Sequence, residues 1–497
     1  MFTQLIQFGK RHIRSLSIAG SIFLALLLLL TGIAYNRAQL SSPDPTYFLR
    51  DRHGMFLGEV GAPSEGEYGY WLLEAVPQRI AAATLAVEDR RFWSHPGVDA
   101  LAIARAMYQN ATRLKRSSGA STIAMQIARM QNPGVRSYLR KAAEAMTAFF
   151  MTGRYSREEI LKHYLRIVPY GNRIHGIAYA SRRYFDKPID DLSWAETAFL
   201  TAIPQAPKHM NPFTGEGKKR AALRGKRILD LLYRDKAMSR EEYELACLQI
   251  HDLAVPRPGI RPEQAMHALL RMERMLKDKS VQLLPRGGCL VTTTLDLDLQ
   301  NAMSRLVYKT VRPWDASGAR NSAAIIVDRE SNEILSWIGS TDYFDESHSG
   351  AIDYADVPRS PGSALKPFFY ALALEKRDIT ASTILNDLQR GPGGIVNADA
   401  LFMGPVLPRV ALANSRNVPA AALLDTIGIE KSYGFLHTLG LHNGVEPASR
   451  YGVGMSIGNL PVTLEKLVRA YSVLSREGRL GDLVWFEGQV NADSRRV

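Results

Sequence analysis

The chain has 497 residues, with 62 lysines and arginines against 49 acidic residues and a formal charge of +13. At roughly 150 residues per domain this length suggests about three units, and an apolar fraction of 46% with 22% charged residues excludes a disordered chain. The positive balance favours an anionic partner, but neither zinc-finger spacing nor a glycine-rich loop ending in Lys-Ser or Lys-Thr occurs, so nucleic-acid and nucleotide binding have no positive signal.

Lys10, Arg11 and Arg14 precede an uncharged, leucine-rich run from Leu16 to Tyr35, long enough to cross a bilayer as a helix. Basic residues on its N-terminal side predict a cytoplasmic tail at 1–15, a membrane anchor at 16–35 and the remainder outside. A cleaved signal peptide is the alternative, but the run is long for one and no small-x-small site precedes Asn36. Residues 36–70, with Pro43 and Pro45, read as a linker, and Arg50 to Val60 could form a small hairpin within it.

Residues 71–235 read as a basic, mainly helical domain. Ile80, Ala81, Thr84 and Leu85 share helical spacing with Glu88, and Pro96 and Gly97 stop the pattern. A half-buried Glu88 with no basic partner one turn back would suit a general base; a solvated charge at a helix end is the alternative. Gly119, Ser121 and Thr122 precede an apolar helix that carries Gln126, which is either an anion-binding helix start or a plain cap. Arg140 and Glu144 share one helix face and could equally be a surface ion pair. His163 and His175 have no further ligand at metal spacing and read as structural.

Residues 236–290, interrupted by Pro256, Pro258 and Pro262, read as a connector. Two cysteines, Cys247 and Cys289, are too few for a disulfide framework and could pair once in an oxidising compartment. From 291 to 497 a second patterned block opens with a strand leading into a helix at Val291 to Gln300, followed by a hairpin at 323–339. Ser363 and Lys366 lie three apart, so the amine can take the hydroxyl proton, and Pro367 is tolerated only if the helix begins near Ser363. Ser-x-x-Lys alone is common by chance. Ser415 and Asn417 follow about 50 residues later.

Glu88-Asp89, Phe92, His95 and Gly97 resemble the E-D-x-x-F-x-x-H-x-G signature of the family 51 peptidoglycan glycosyltransferases. Gly119, Ser121, Thr122, Ile123 and Gln126 resemble its G-x-S-T-I-x-x-Q motif, and Arg140, Lys141 and Glu144 its R-K-x-x-E motif. The chain departs from the family pattern at Arg129 and Met130, usually Lys and Asn, and at Lys162 and Arg166, commonly Glu and Asn. The Ser363/Lys366 pair, the Ser415-x-Asn417 element and the Gly452 to Tyr471 stretch resemble the penicillin-binding transpeptidases. No K-T-G or K-S-G element follows before Val497, and Lys431-Ser432-Tyr433-Gly434 comes too early to replace it. Weak or absent acylation is therefore expected. The whole order is similar to class A penicillin-binding proteins, most like the 1C type.

The resemblance implies a multidomain chain: a transmembrane helix, a mainly α, lysozyme-like glycosyltransferase domain, and an incomplete α/β penicilloyl-serine transpeptidase domain. It implies a single-pass protein of the bacterial inner membrane whose periplasmic domains act on lipid II and the growing glycan strand, with other cell-wall synthesis proteins as further partners and no nucleic acid. Glu88 would deprotonate the acceptor hydroxyl, and Glu144, Arg140, Lys141 and Arg129 would hold the departing diphosphate. Asp89, Phe92, His95, Gly119, Ser121, Thr122 and Gln126 would line the substrate site, and Ser363, Lys366, Ser415 and Asn417 would form the acyl-transfer site. The resemblance implies no definite cofactor, and a divalent magnesium or manganese ion at the diphosphate is left open. The alternatives are a glycan-cleaving enzyme of the same fold and a catalytically weak scaffold.

Overall fold

The computed structural model describes residue 25 and residues 28–61, 66–113, 121–135, 137–256, 259–281, 289–389, 394–490 and 494–497. The chain divides into two compact units, Met1–Tyr47 with Glu59–Gly259 and Phe48–Gly58 with Ile260–Val497. Most of the expected anchor at 16–35, with Lys10, Arg11 and Arg14, lies outside the described residues. Residues 28–37 are helical, and among the described residues no helix is long and apolar enough to cross a membrane.

The first unit is helical, with α1 (Gln78–Glu88), α2 (Ala100–Arg113), α3 (Ile123–Gln131), α4 (Tyr138–Arg154), α5 (Arg157–Ile167), α6 (Ile177–Phe185), α7 (Trp194–Ala202), α8 (Gly215–Arg234) and α9 (Arg240–Asp252). Serine or threonine caps start many of them. Ser156, Ser193 and Ser239 each form a reciprocal capping box with the glutamate three residues on, satisfying two orphan donors at the starts of α5, α7 and α9. Every residue of α7 is buried, so it forms the centre of this unit. α8 packs closely on it at Gly225, where a Cβ would stand 3.2 Å from the Ala198 carbonyl oxygen. Cys247 lies on α9 and forms no disulfide.

In the second unit the stretch read as a linker supplies structure. Tyr47–Arg50 and Phe56–Val60 are strands, and Phe48, Leu49 and Arg50 pair in parallel with Leu290, Val291 and Thr292. The buried Asp51 shapes the turn between them, its Oδ1 accepting from the Met55 amide at 2.8 Å, and its Oδ2 accepts from the Leu297 amide at 3.2 Å. One carboxylate thus closes a turn and caps the start of α11 (Leu297–Val311), which follows α10 (Met266–Lys277). The expected hairpin is present as Ala324–Val327 paired antiparallel with Ile334–Ile338. Helices α12 (Lys366–Lys376), α13 (Pro408–Ala413), α14 (Asn417–Ile427), α15 (Ile429–Thr438) and α16 (Leu464–Ser475) complete it. Phe368, Phe369, Leu423, Leu424, Leu436 and Met455 are at the centre of its core.

Gly97 is the tightest backbone approach near the Glu88 loop. It has φ +84°, and a Cβ there would lie 2.3 Å from the Ala148 carbonyl oxygen on α4. Gly97→Ala should therefore destabilise the first unit by roughly 2–5 kcal/mol, combining left-handed strain with overpacking. Gly153→Ala on the same helix, where nothing lies within 4 Å, should be neutral or slightly stabilising. Thermal unfolding of the two variants side by side checks the contrast, and equal melting temperatures would refute it.

Candidate functional site

Glu88 is the last residue of α1, half-buried, and Gln126 Nε2 on α3 donates to its Oε2 at 2.8 Å. That alignment depends on the next residue. Asp89 is buried, accepts from the Ile123 amide at 3.0 Å through Oδ2, and has His95 Nε2 at 2.8 Å from Oδ1. A negative charge is thus fixed at the start of α3, where the helix dipole favours it. Thr122 caps the same helix, accepting from the Met125 amide, and donates to the Gly97 carbonyl at 2.6 Å. The His95 carbonyl accepts from Arg157 Nη2, and Arg157 lies over the Phe92 ring.

Of the residues expected to line the substrate site, Asp89, Phe92, His95 and Thr122 are 7%, 1%, 6% and 2% exposed, and their contacts position α3 and the loop. Glu88 and Gln126 are half-buried, as is Ser121. Gly119 lies outside the described residues.

Three groups that the sequence reading did not place in the site gather around Glu88. Tyr164 on α5 donates to Gln126 Oε1 at 3.4 Å. Burial pushes its phenol pKa well up, and the Glu88 charge adds to this. Tyr170 is raised for the same two reasons. Arg224 on α8 has its pKa lowered by burial, while the charge of Glu88 raises it. Glu88 has no basic partner one turn back on its own helix, and the basic group whose charge it feels is on α8. Arg224 sits among other basic residues of α8 and carries no distinguishing signal.

Glu144 lies elsewhere on α4. Arg140 Nε donates to its Oε1 at 3.1 Å, and Arg140 Nη2 donates to the Asn132 carbonyl. With Arg37, Ala128 and Thr147 they line a cleft of about 90 Å³. Arg129 and Lys141 are exposed. Among the described residues no group of three or more His, Cys, Asp or Glu converges as a metal site, and Glu144, the carboxylate such an ion would use, is engaged by Arg140. Of the departures from the family pattern, Lys162 pairs with Glu158 at 2.9 Å and Arg166 Nε donates to the Tyr70 carbonyl at 2.8 Å. His163 is buried neutral, its pKa pushed down to about 4 by desolvation and by Arg166.

In the second unit the helix does begin at the serine: a 3-10 turn spans Gly362–Leu365 and α12 continues from Lys366. Ser363 is exposed, whereas Lys366 is 1% exposed. Its Nζ donates to Asn417 Oδ1 at 2.7 Å, to Ser415 Oγ at 3.2 Å and to the Ser415 carbonyl. No hydrogen bond joins it to Ser363 among the described residues. Ser415 has φ +53°, and the conformation is held from both sides. Arg416 Nε donates to the fully buried Asp387 at 2.8 Å and its Nη1 to Asp399 at 2.8 Å, while the Asn417 amide donates to Asn397 Oδ1 at 2.8 Å. Desolvation, with the nearby charge of Arg416, pushes Lys366 down to about 8. Arg416, Asp387, Asp399 and Asn397 are members of this network that the spacing of the serine and asparagine does not flag.

Residues 54–233 match the transglycosylase family model and residues 322–492 the penicillin-binding protein transpeptidase domain model. The chain is 31% identical over 427 residues to penicillin-binding protein 1C of Escherichia coli, covering 85% of this chain and 53% of that protein. It is 26% identical to penicillin-binding protein 1F of Bacillus subtilis, covering 86% of this chain and 59% of that one. It is 29% identical to penicillin-binding protein 1B of Vibrio cholerae, covering 82% and 53%. The chain thus spans a little over half the length of these relatives. With a transglycosylase domain followed by a penicillin-binding transpeptidase domain, it belongs to the class A penicillin-binding proteins.

Proposed function

We propose that the first unit is a peptidoglycan glycosyltransferase that polymerises lipid II, and that residues 16–35 anchor the chain in the bacterial inner membrane with both units on the periplasmic side. The observation that carries this reading is the placement of Glu88. Its neighbours in the signature are consumed by internal bonds, whereas its own Oε2 is oriented by Gln126 and its Oε1 makes no hydrogen bond among the described residues. The acceptor hydroxyl donates its proton to that oxygen as it attacks the anomeric carbon of the donor. The glycosidic bond to the diphosphate breaks with inversion, and the leaving lipid diphosphate keeps the electron pair. Arg129, Arg140 and Lys141 offset its charge, an electrostatic contribution of several kcal/mol. The pairing of Glu144 with Arg140 counts against glycan hydrolysis, which needs a second carboxylate to activate water.

For the second unit the proposal is acyl transfer through Ser363, with Lys366 as its base and Ser415 and Asn417 orienting the amine. Lys366 points to Ser415 and Asn417, so acylation requires its amine to turn toward Ser363 and is slow from this arrangement.

Two outcomes follow. With fluorescent lipid II, wild-type protein should give polymer on a gel and Glu88→Gln should lose roughly 10³-fold in rate; equal polymer from both would remove Glu88 from the chemistry, and no polymer from folded wild type would favour the scaffold. With a labelled penicillin, attachment to Ser363 should rise about tenfold per pH unit below 8 and level off above, because only the neutral Lys366 amine accepts a proton and its pKa is about 8. A rate flat from pH 6 to 9 would contradict Lys366 as base.

A further inference from the structure

Residues 28–37 form a helix whose end is fastened to α3 and α4. Ala34 and Ala38, one turn apart, are 4% and 0% exposed, small side chains that let this segment pack closely. Tyr35 meets the Phe150 ring of α4 edge to face at 5.8 Å, and the Arg154 guanidinium lies over the Tyr35 ring. Just beyond, the Leu40 amide donates to the Tyr155 hydroxyl at 3.4 Å, and Gln131 Nε2 at the end of α3 donates to the Ser41 carbonyl at 2.5 Å. Arg37 is therefore bracketed by fixed residues, and it lines the cleft formed with Ala128 of α3 and with Arg140 and Glu144 of α4.

Charge decides what this cleft receives. Arg37 is exposed and forms no ion pair or hydrogen bond among the described residues. Glu144 is already engaged by Arg140 Nε at 3.1 Å, so two guanidinium groups face one paired carboxylate and the charge of Arg37 is uncompensated. A phosphate oxyanion meets such a group best, since the planar fork offers it two parallel hydrogen bonds. Position narrows the source. Arg37 lies two residues past the apolar run 16–35, so with that run in the bilayer it stands at the headgroup level, where the phosphates of a lipid-linked substrate lie. We infer that Arg37 is a substrate-binding residue that donates to the diphosphate of lipid II across the cleft from Arg140, making the membrane exit of the chain part of the site. The inference rests on the glycosyltransferase reading and its membrane anchor.

The test uses full-length Glu88→Gln protein, which binds without turnover, and fluorescent lipid II in a non-ionic detergent that carries no phosphate, read by anisotropy. Adding Arg37→Gln should weaken binding roughly tenfold, and Arg37→Lys, a point charge without the planar fork, should recover part of the loss. Lys219→Gln, the same loss of charge at an exposed position on α8, should leave binding unchanged. Unchanged melting temperatures with weakened binding support a contact rather than a structural part. Repeating the titration with phosphatidylglycerol mixed into the micelles separates the two sources of phosphate. A difference between Arg37→Gln and its parent that appears only with phosphatidylglycerol present assigns Arg37 to a phospholipid headgroup and overturns the inference. Equal binding by the two proteins in both detergents also overturns it while leaving the glycosyltransferase reading intact. Failure of the Glu88→Gln parent itself to bind overturns both.

Discussion

A single buried carboxylate sets the geometry of the first unit. Asp89 ends α1, receives the first amide of α3 and faces His95 in the intervening loop. Because Glu88 is its neighbour in sequence and Gln126 rides on the helix it holds, the bond between Glu88 and Gln126 exists only while Asp89 keeps both ends in register. Replacing it by an apolar residue would leave the Ile123 amide unpaired in the interior, which costs about 1–3 kcal/mol. The adjacent pair of acids thus divides its work, with one side chain turned inward to build and one left at the cleft.

The second unit solves a similar problem with a buried ion pair. Arg416 and Asp387 are both buried, and such a pair repays its desolvation only when the remaining donors and acceptors are satisfied. Here they are: Asp387 also accepts from Asn397 Nδ2 at 2.7 Å and from the Met403 amide at 3.0 Å, and Arg416 also donates to Asp399 and to the Leu401 carbonyl. The network pins the residues on either side of Arg416, and these are Ser415 and Asn417, the acceptors of the Lys366 amine. A positive φ at Ser415, costing of the order of 1–3 kcal/mol, persists because the loop is over-determined.

Much of this was legible in the chain itself, and the limits have physical causes. Two apolar runs joined across a polar turn mark the hairpin at 324–338, and the intolerance of Pro367 inside a helix places its start at the serine. Periodicity also put Glu88 on a partly buried face. A linear signature does not say which members turn inward, so Asp89, Phe92 and His95 read as ligand-facing although they are packed away. Arg224 escaped because its meaning comes from α8 lying beside α1, a contact between residues far apart in sequence. The parallel pairing of Phe48 with Leu290 escaped for the same reason, since parallel partners need no turn signal between them.

That pairing bears on how the chain is made. Phe48–Gly58 leaves the ribosome before the whole of Glu59–Gly259, yet it belongs to the unit completed by Ile260–Val497. Its Leu49 and Leu57, fully buried in the folded chain, meet the rest of their unit only after about two hundred further residues have been added. A fragment beginning at Ile260 would lack the strand beside Leu290–Thr292 and the Asp51 cap on α11. The second unit is therefore not separable by a single cut, and its folding follows the order of synthesis of the first.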